Sequence, residues 1–358
     1  MYKSILIVRT DRVGDVLLTL PVIEVIKKGY PNADLSFLGN DYTIDLVKGN
    51  PNIKNCLVLQ DSFSKNYRLL KSFGFDTVLV ISPAFNLALL FFLLKIKNRI
   101  GTGYRWYSFL FNKKHYEHRR YGNKHELEYN LNLLSVMNLN YTETPECKIY
   151  IEKKDEDIVD KLLLEKGINK GDNLIIIHPG SMGSSMDYPK EKMINLVKKI
   201  DSFFCYNISG GCKICFTGKL QEAKLITEIN ESISSRGLTF VDELSLKQLS
   251  AFIKRGKIFI CNSTGPIHLA ASVGTFIIGF YPPVAAMSEK RWGPYTSNKC
   301  IFVPCLRNNE GLDGYGYCKN CEKEKCKHFN CMYSINEEDV LGKIKEFLTK
   351  KMKTYEQQ

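Results

Sequence analysis

Two strand-to-helix turns hold the residues whose types and spacing could do chemistry. The first follows the apolar run Ile5–Val8 and carries Arg9, Asp11, Arg12, Gly14 and Asp15, after which apolar residues recur at the spacing of a helix. A carboxylate in such a turn can accept a proton from a hydroxyl nucleophile, so Asp15 is the predicted general base and Asp11 the second candidate. Asp15 could equally be a first-turn acid that only stabilises the helix dipole. With Gly14 as its only glycine, the turn lacks the fingerprint of a dinucleotide cofactor site.

The second turn has the pattern of an anion site. The apolar run Lys257–Cys261 leads into a small-residue turn that opens a helix, and Gly274 ends that helix. The first amides of a helix lack partners and its dipole adds about half a positive charge there, so a phosphate can bind. An ordinary capped helix is the alternative. The residues predicted to contact a phosphate here are Ser263, Thr264, Gly265 and His268.

Together the two turns resemble those of the heptosyltransferase family of bacterial glycosyltransferases. The first reads Arg9-x-Asp11-x-x-Gly14-Asp15-Val16 with Thr19-Leu20-Pro21, and the second reads Ser263-Thr264-Gly265-Pro266-x-His268-Leu269-Ala270. Further similar segments stand between them in the family's order: Arg99-Ile100-Gly101, the helix with His125, Glu128, Asn130 and Leu131, His178-Pro179-Gly180-Ser181, and Phe216-Thr217-Gly218 with Glu222. The resemblance spans about residues 3–345.

This resemblance implies an architecture and an activity. The fold would be α/β, with two doubly wound Rossmann-like domains facing a cleft, as in GT-B glycosyltransferases. The activity would be inverting transfer of heptose, or a related sugar, from an ADP-sugar to a lipopolysaccharide- or lipooligosaccharide-type acceptor. Asp15 matches the family's catalytic position. Glu222 would bind the donor ribose and Ser181 a phosphate, although a helix-face acid and a plain turn residue are the alternatives.

One position departs from the family pattern. Family members usually carry a lysine shortly before an aromatic-Pro pair, where it neutralises the donor phosphate. Here Tyr188-Pro189 is present, but Met186 stands at the corresponding position. Lys190 or Lys192 could supply the charge from elsewhere. A catalytically inert relative that keeps the fold is therefore an alternative.

Alternating strand and helix patterns predict two parallel sheets covered on both faces. The chain of 358 residues suits two domains of ordinary size. Tyr141–Glu146 is the predicted linker, giving an acceptor-side domain at 1–145, a nucleotide-sugar domain at 146–345 and a terminal tail at 346–358. The predicted strands are Ser4–Val8, Asp34–Leu38, Cys56–Leu59, Thr77–Ile81, Leu174–Ile177, Lys213–Phe216, Leu238–Val241, Lys257–Cys261 and Phe276–Phe280.

Charge and hydropathy predict the cellular location of the protein. The longest apolar run, 84–94, is shorter than the ~20 residues that span a bilayer and predicts a buried helix. The N-terminus opens directly into a strand, so a cytoplasmic protein is expected. A net charge of +12 predicts attraction to polyanions, including the anionic inner membrane as a peripheral contact. The basic cluster Lys113, Lys114, Arg119 and Arg120 is either a solvated loop or a membrane-facing or acceptor-facing one.

A cysteine-rich segment, 305–331, lies near the C-terminus. Cys318, Cys321, Cys326 and Cys331 have the spacing C-x2-C-x4-C-x4-C, which favours a structural zinc or iron over disulfides in a reducing compartment. Catalysis itself is expected to need no cofactor. A nucleic-acid-binding zinc knuckle, with Tyr315, Tyr317, Phe329 and Tyr333 as stacking residues, is a further alternative, although few arginines accompany it and no nucleic acid is expected as a partner.

Overall fold

The protein forms two compact units, Met1–Glu152 and Lys153–Gln358. This computed structural model describes residues 2–119, 122–207, 212–304, 317–318, 321 and 330–355, without the side chains of 204–207 and 349–355. Each unit is built on a six-stranded sheet whose neighbouring strands all pair in parallel. The predicted pair of doubly wound, Rossmann-like domains is confirmed. The predicted linker, Tyr141–Glu146, lies within the first unit.

The first unit has the strand order β3-β2-β1-β4-β5-β6. Its strands are β1 (Ser4–Val8), β2 (Asp34–Gly39), β3 (Asn55–Val58), β4 (Thr77–Val80), β5 (Asn98–Thr102) and β6 (Lys113–His115). Its helices are α1 (Val13–Leu17), α2 (Leu20–Gly29), α3 (Phe63–Lys71), α4 (Phe85–Leu93) and α5 (Glu126–Asn132), with 3-10 turns at Ile44–Leu46, Ser108–Leu110 and Leu133–Met137. Strand β1 is central, and Ile5–Val8 is fully buried because helices cover both faces of a parallel sheet.

The second unit has the strand order β12-β11-β10-β7-β8-β9. Its strands are β7 (Asn173–His178), β8 (Cys212–Gly218), β9 (Leu238–Val241), β10 (Ile258–Asn262), β11 (Phe276–Phe280) and β12 (Lys299–Phe302). Its helices are α6 (Lys153–Glu165), α7 (Lys190–Asn207), α8 (Ala223–Glu231), α9 (Leu246–Arg255), α10 (Gly265–Val273), α11 (Glu289–Trp292) and α12 (Glu337–Tyr355), with 3-10 turns at Leu220–Glu222, Ala285–Met287 and Cys331–Ser334. Helix α12 packs on α7 and continues past the predicted domain end at residue 345.

The helix predicted from Gly14 onward is not continuous, which corrects the sequence-based expectation. Helix α1 ends at Leu17 and α2 begins at Leu20. Pro21 explains the interruption, because its ring has no N–H to donate to the carbonyl of Leu17 and would clash with it in a continuous helix. The break leaves Thr19 Oγ1 free to donate to the carbonyl of Asp15 at 2.9 Å, which fixes the short α1 segment.

The apolar run 84–94 is helical, but only part of it is buried as predicted. Helix α4 buries Leu87, Ala88, Leu90 and Phe91, whereas Phe85, Phe92 and Leu93 are 37, 45 and 46% exposed. The helix is apolar all round, so its sheet-facing side can be covered while its outer side remains apolar and exposed. Within the described part of the chain, no helix is both long and apolar enough to cross a bilayer.

Candidate active site and donor-binding turn

Arg9 organises the polar turn that follows β1. The turn lies at the carboxyl end of the central strand, where ligands bind in open parallel sheets. Arg9 is 3% exposed and its guanidinium lies between three carboxylates. Its Nη2 atom bonds Oδ1 of Asp15. Its Nε lies 3.1 Å from Oδ2 of Asp11, and Nη2 lies 3.8 Å from Oε1 of Glu126. The cluster therefore fixes both candidate bases around one buried cation.

Helix α5 supplies the far side of this cluster. Asn130 Oδ1 accepts from Arg9 Nη1 at 3.4 Å and from Arg119 Nη1 at 3.0 Å, and its Nδ2 donates to the carbonyl of Leu18 at 3.0 Å. Arg119 also donates to Glu126 Oε1 at 2.7 Å. The sequence predicts the family-like helix, but it does not predict the contacts of Glu126 and Asn130 with Arg9 or the bonds from Arg119 to these two residues. No local spacing reveals them, since more than a hundred residues separate Asn130 from Arg9.

The environment of Asp15 suits a proton acceptor. Burial raises the pKa of Asp15 above its ordinary value of 3.8, Arg9 opposes this shift, and the charges of Asp11 and Glu126 add to it. The side chain is still 16% exposed. One oxygen is bonded to Arg9, and no side chain or amide in the described residues donates to the other. A carboxylate with a raised pKa and an accessible oxygen is a stronger base than an ordinary aspartate.

Asp11 is held differently from Asp15. Its Oδ1 accepts from Ser82 Oγ at 2.7 Å and its Oδ2 faces Arg9, so both oxygens are engaged. Its carbonyl accepts from Asn40 Nδ2 at 2.9 Å. These bonds tie the turn to the ends of β2 and β4. We therefore interpret Asp11 as an anchor of the turn and keep Asp15 as the candidate base.

In the second unit, the predicted anion site lies at the start of α10. Thr264 is the residue before the helix, and its side chain makes no capping hydrogen bond. Ser263 lies close to the buried hydroxyl of Tyr281, which donates to the carbonyl of Trp292 at 2.9 Å. Gly265 is partly exposed, and the buried His268 lies in the first turn. Gly274 ends the helix with φ 77°, as the stop signal predicted. Because no side chain caps it, the N-terminus of α10 can offer its first amides to an anion.

Glu222 is buried beside the ends of β7 and β8, not on a solvated helix face. It is 6% exposed, and its Oε2 accepts from the amide of Lys219 at 2.9 Å and lies 3.7 Å from His178 Nε2. Burial lowers the pKa of His178, whose Nδ1 bonds Thr217 Oγ1 at 3.0 Å. Among the described residues no donor reaches the buried Oε1 of Glu222. A buried acceptor without a donor is costly, so this oxygen is suited to a ligand hydroxyl.

The residue before Ser181 is a glycine, Gly180, because Glu222 leaves no room there for a side chain. A Cβ built on Gly180 would lie 2.0 Å from Glu222 Oε1, so any side chain there would displace the carboxylate. Ser181 itself is 3% exposed and donates weakly to the carbonyl of Ser185 at 3.4 Å, within a tight loop. Met182 and Gly183 turn this loop with positive φ angles of 49° and 74°.

Asn262 fastens this loop to β10, a role that the sequence reasoning missed. Its Oδ1 accepts from the amide of Tyr188 at 2.8 Å, and its Nδ2 donates to the carbonyl of Pro179 at 2.6 Å. Asn262 is fully buried and directly precedes the residues predicted to contact a phosphate. Its place at the end of an apolar strand was the available signal, since a buried amide there needs specific partners.

The two lysines that could replace the missing one each form an ion pair. Lys190 Nζ lies 2.9 Å from Glu228 Oε2, and Lys192 Nζ lies 2.7 Å from Glu337 Oε2. Both charges are therefore paired with acids, Glu228 on α8 and Glu337 on α12, and the substitution of either lysine for the missing one stays a prediction. Met186 instead contacts the cysteine-rich segment, where Cys321 Sγ lies 3.5 Å from its Sδ.

The cysteine-rich segment is only partly described. Cys318 pairs with the chain at Val284, Cys321 contacts Met186, and Cys331 begins a 3-10 turn. Cys326 and Cys305 lie outside the described residues, as do Arg120, Tyr315 and Phe329. Among residues that are described, no group of three or more His, Cys, Asp or Glu side chains could hold a metal. Two of the predicted stacking residues bond acids instead, Tyr317 to Glu289 and Tyr333 to Glu191.

The first unit holds Asp15, a partly exposed carboxylate bonded to Arg9, and the second holds the uncapped N-terminus of α10 and the buried acid Glu222. The chain belongs to glycosyltransferase family 9 (heptosyltransferase), whose profile matches residues 64–313. The family resemblance and the enzyme class expected from the sequence are thereby confirmed.

Several known proteins are similar over nearly the whole chain. Lipopolysaccharide heptosyltransferase 1 of Campylobacter coli is 26% identical over 364 residues, covering 96% of this chain and 98% of that protein. The crystal structure of a family 9 glycosyltransferase from Veillonella parvula has a TM-score of 0.82 at 19% identity, with 98% of both chains covered. E. coli ADP-heptose lps heptosyltransferase II has a TM-score of 0.78 at 16% identity, covering 98% of this chain and 99% of that one. These structures confirm the predicted fold class.

A more distant structure has a metal. The iron-containing dodecameric glycosyltransferase TibC of enterotoxigenic E. coli has a TM-score of 0.55 at 11% identity, covering 98% of this chain and 76% of that one. At this identity the likeness concerns the fold alone.

Proposed function

We propose that the protein transfers heptose, or a related sugar, from an ADP-sugar to a lipopolysaccharide- or lipooligosaccharide-type acceptor, with inversion at the sugar. Membership of the heptosyltransferase family supports this, as do relatives whose names specify lipopolysaccharide and ADP-heptose. The observation that carries the catalytic part is Asp15, with one oxygen bonded to Arg9 and the other accessible. The proposed place of action is the cytoplasmic side of the inner membrane, where such an acceptor is assembled.

The reaction proposed is a single displacement. The acceptor oxygen forms a bond to the anomeric carbon as the bond from that carbon to the diphosphate breaks, and Asp15 accepts the hydroxyl proton. The N-terminal amides of α10 stabilise the charge that develops on the departing diphosphate. Glu222 accepts hydrogen bonds from the ribose through its buried Oε1, and Ser181, Ser263, Thr264, Gly265 and His268 are the proposed phosphate contacts.

Binding and turnover measurements with defined nucleotide sugars test this function. A ligand that binds only the native state raises its stability, so ADP and ADP-heptose should raise the melting temperature more than GDP or UDP sugars do. Incubation with ADP-heptose and a lipooligosaccharide acceptor should release ADP and add one sugar of inverted anomeric configuration. Binding of ADP-heptose without transfer would identify the inert relative that Met186 suggests. Absence of nucleotide binding altogether would contradict the proposal.

We propose further that Cys318, Cys321, Cys326 and Cys331 hold one structural zinc or iron. Four thiolates suit either ion, and an iron-containing member of the same fold supports the idea. The proposed chemistry needs no metal, so chelation should lower the melting temperature but leave transfer unchanged below it. Elemental analysis of protein purified without chelator should find about one zinc or iron per chain. Finding neither ion would refute the proposal.

The nucleic-acid alternative is not favoured. Family membership accounts for the fold, and the acidic partners of Tyr317 and Tyr333 are unsuited to a polyanion. Filter binding with single-stranded DNA should show no retention at physiological salt.

A further inference from the structure

An aromatic surface is exposed on α4 and on the segment that follows β5. It consists of Phe85, Phe92, Leu93, Trp106 and Phe109, and the last two are 73 and 67% exposed. Helix α4 packs beside the 3-10 turn Ser108–Leu110, and the rings of Phe85 and Trp106 stack with centroids 4.9 Å apart. These side chains therefore form one patch, and such a patch marks an interaction surface.

The stretch of chain that carries this aromatic surface has basic residues but no acidic ones. Between residues 77 and 116 there is no Asp or Glu, whereas six basic residues occur: Lys95, Lys97, Arg99, Arg105, Lys113 and Lys114. The Arg99 guanidinium carbon lies 5.3 Å from the centre of the Phe92 ring. Lys95, Lys97 and Arg105 are exposed. The aromatic surface thus carries positive charge without any acid from its own stretch of chain.

We propose that the aromatic surface docks on an anionic lipid surface. Aromatic rings with basic neighbours enter the headgroup region, where apolar burial and attraction to anionic lipid add together. A second copy of the chain fits less well, because the buried centre of a protein interface is depleted in lysine and two such basic faces repel. The basic cluster suggested by sequence is a poorer candidate, because Lys113 bonds the hydroxyl of Tyr2 and Arg119 bonds Glu126.

The aromatic surface reaches the sheet edge of the Asp15 turn through Phe85 and Trp106, whereas Phe92 and Leu93 lie toward the opposite edge. Ser82, shortly before α4, donates to Asp11 at 2.7 Å, and Trp106 follows β5 at its carboxyl end. Docking through the Phe85 and Trp106 end would bring the sheet edge that holds the Asp15 turn toward the membrane. This last step rests on the proposed function, since it matters only if the acceptor is a lipid-anchored glycan. The docking itself does not depend on transfer.

Vesicle sedimentation of the full chain tests the docking. The protein should bind phosphatidylglycerol vesicles and bind neutral phosphatidylcholine vesicles about 100-fold more weakly. The double variant Trp106→Ser, Phe109→Ser should bind the anionic vesicles about tenfold more weakly or worse. A triple variant, Lys95→Gln, Lys97→Gln, Arg105→Gln, should lose about 100-fold. ADP affinity, measured by calorimetry, should stay unchanged in both, which separates loss of docking from loss of fold or of donor binding.

Matched controls lie on α6 and beyond its end in the other unit. Ile158 and Leu164 are exposed apolar residues, and Lys153, Lys161 and Lys170 are exposed lysines. The control variant Ile158→Ser, Leu164→Ser should bind vesicles as the parent does. The control variant Lys153→Gln, Lys161→Gln, Lys170→Gln should do so too. Equal binding of parent and aromatic variant, or equal binding to neutral and anionic vesicles, would overturn the proposal. So would a parent dimer in light scattering that Trp106→Ser, Phe109→Ser converts to monomer, because a second copy would then cover the aromatic surface.

Discussion

Arg9 and Asp15, six residues apart, form a hydrogen-bonded ion pair at the carboxyl end of the central strand of the first unit. The pair leaves one carboxylate oxygen of Asp15 accessible, while burial raises the pKa of this residue. Arg9 thus orients the proposed base but does not bring its pKa down to the ordinary value, because the charges of Asp11 and Glu126 around the same guanidinium raise it. Because its pKa is raised, an aspartate held in this way accepts a proton more readily than an ordinary aspartate.

The pH dependence of transfer should report this cluster. Because the pKa of Asp15 is raised, the acid limb of kcat/KM should lie above pH 3.8, and activity should be lost as the pH falls through it. Glu126→Gln removes one charge that raises this pKa, so the acid limb should move to lower pH. The surface substitution Glu231→Gln should not move it. A limb that shifts upward in Glu126→Gln would show that the electrostatic account of Asp15 is wrong.

The same raised pKa has a consequence for stability. Asp15 holds its proton to higher pH in the folded protein than in the unfolded chain, so its ionisation lowers the free energy of unfolding as the pH rises through the folded pKa. Chemical denaturation of the parent and Asp15→Asn at several pH values measures this. The parent should lose stability relative to the variant as the pH rises above 3.8. A parent that instead gains stability relative to the variant over that interval would contradict a raised pKa.

Gly180→Ala should weaken nucleotide binding by moving Glu222. The added methyl would lie 2.0 Å from Glu222 Oε1, which must then leave its place. Losing a hydrogen bond to a charged group costs about 1.5–3 kcal/mol, so ADP affinity should fall about tenfold or more. Gly342→Ala is the matched control, since nothing lies within 4 Å of a Cβ there. Calorimetric titration with ADP is the measurement, and unchanged affinity in Gly180→Ala would remove Glu222 from the donor site.

Gly265→Val should abolish ADP binding while the protein stays folded. Gly265 is partly exposed and outside the positive-φ region, so valine can adopt its backbone conformation. Its branched side chain would block a phosphate from the first amides of α10. Gly171→Val is the control, because nothing lies within 4 Å of a Cβ at that position. If Gly265→Val bound ADP as the parent does, the turn would be only the start of a helix.

Much of the fold could be predicted because fully buried parallel strands read as continuous apolar runs. Ser4–Val8, Leu238–Val241 and Phe276–Phe280 match to the residue. Strand β6, Lys-Lys-His at the edge of its sheet, could not be recognised in this way, because only one neighbour pairs with it and its side chains are half-buried. The break between α1 and α2 was missed although Pro21 signalled it.

The candidate site could be predicted only where its residues are neighbours in sequence. Asp15 and the α10 turn lie in single short motifs, so their types and spacing were visible. Asn130 and Asn262 form hydrogen bonds with segments that are distant in sequence, and hydrophobic periodicity does not predict such contacts. The exposed side of α4 was missed for a related reason, since an apolar run does not show which of its faces the sheet covers.

The substitution Asp15→Asn tests the central claim most directly. The amide keeps the shape of the carboxylate but cannot take a proton, and a positioned base contributes at least about 100-fold. Transfer from ADP-heptose should therefore fall by about 100-fold or more, while ADP affinity stays at the parent value. Asp41→Asn, at an exposed acid of the same unit, should leave both unchanged. Turnover of Asp15→Asn within about tenfold of the parent would contradict the assignment of Asp15 as the base.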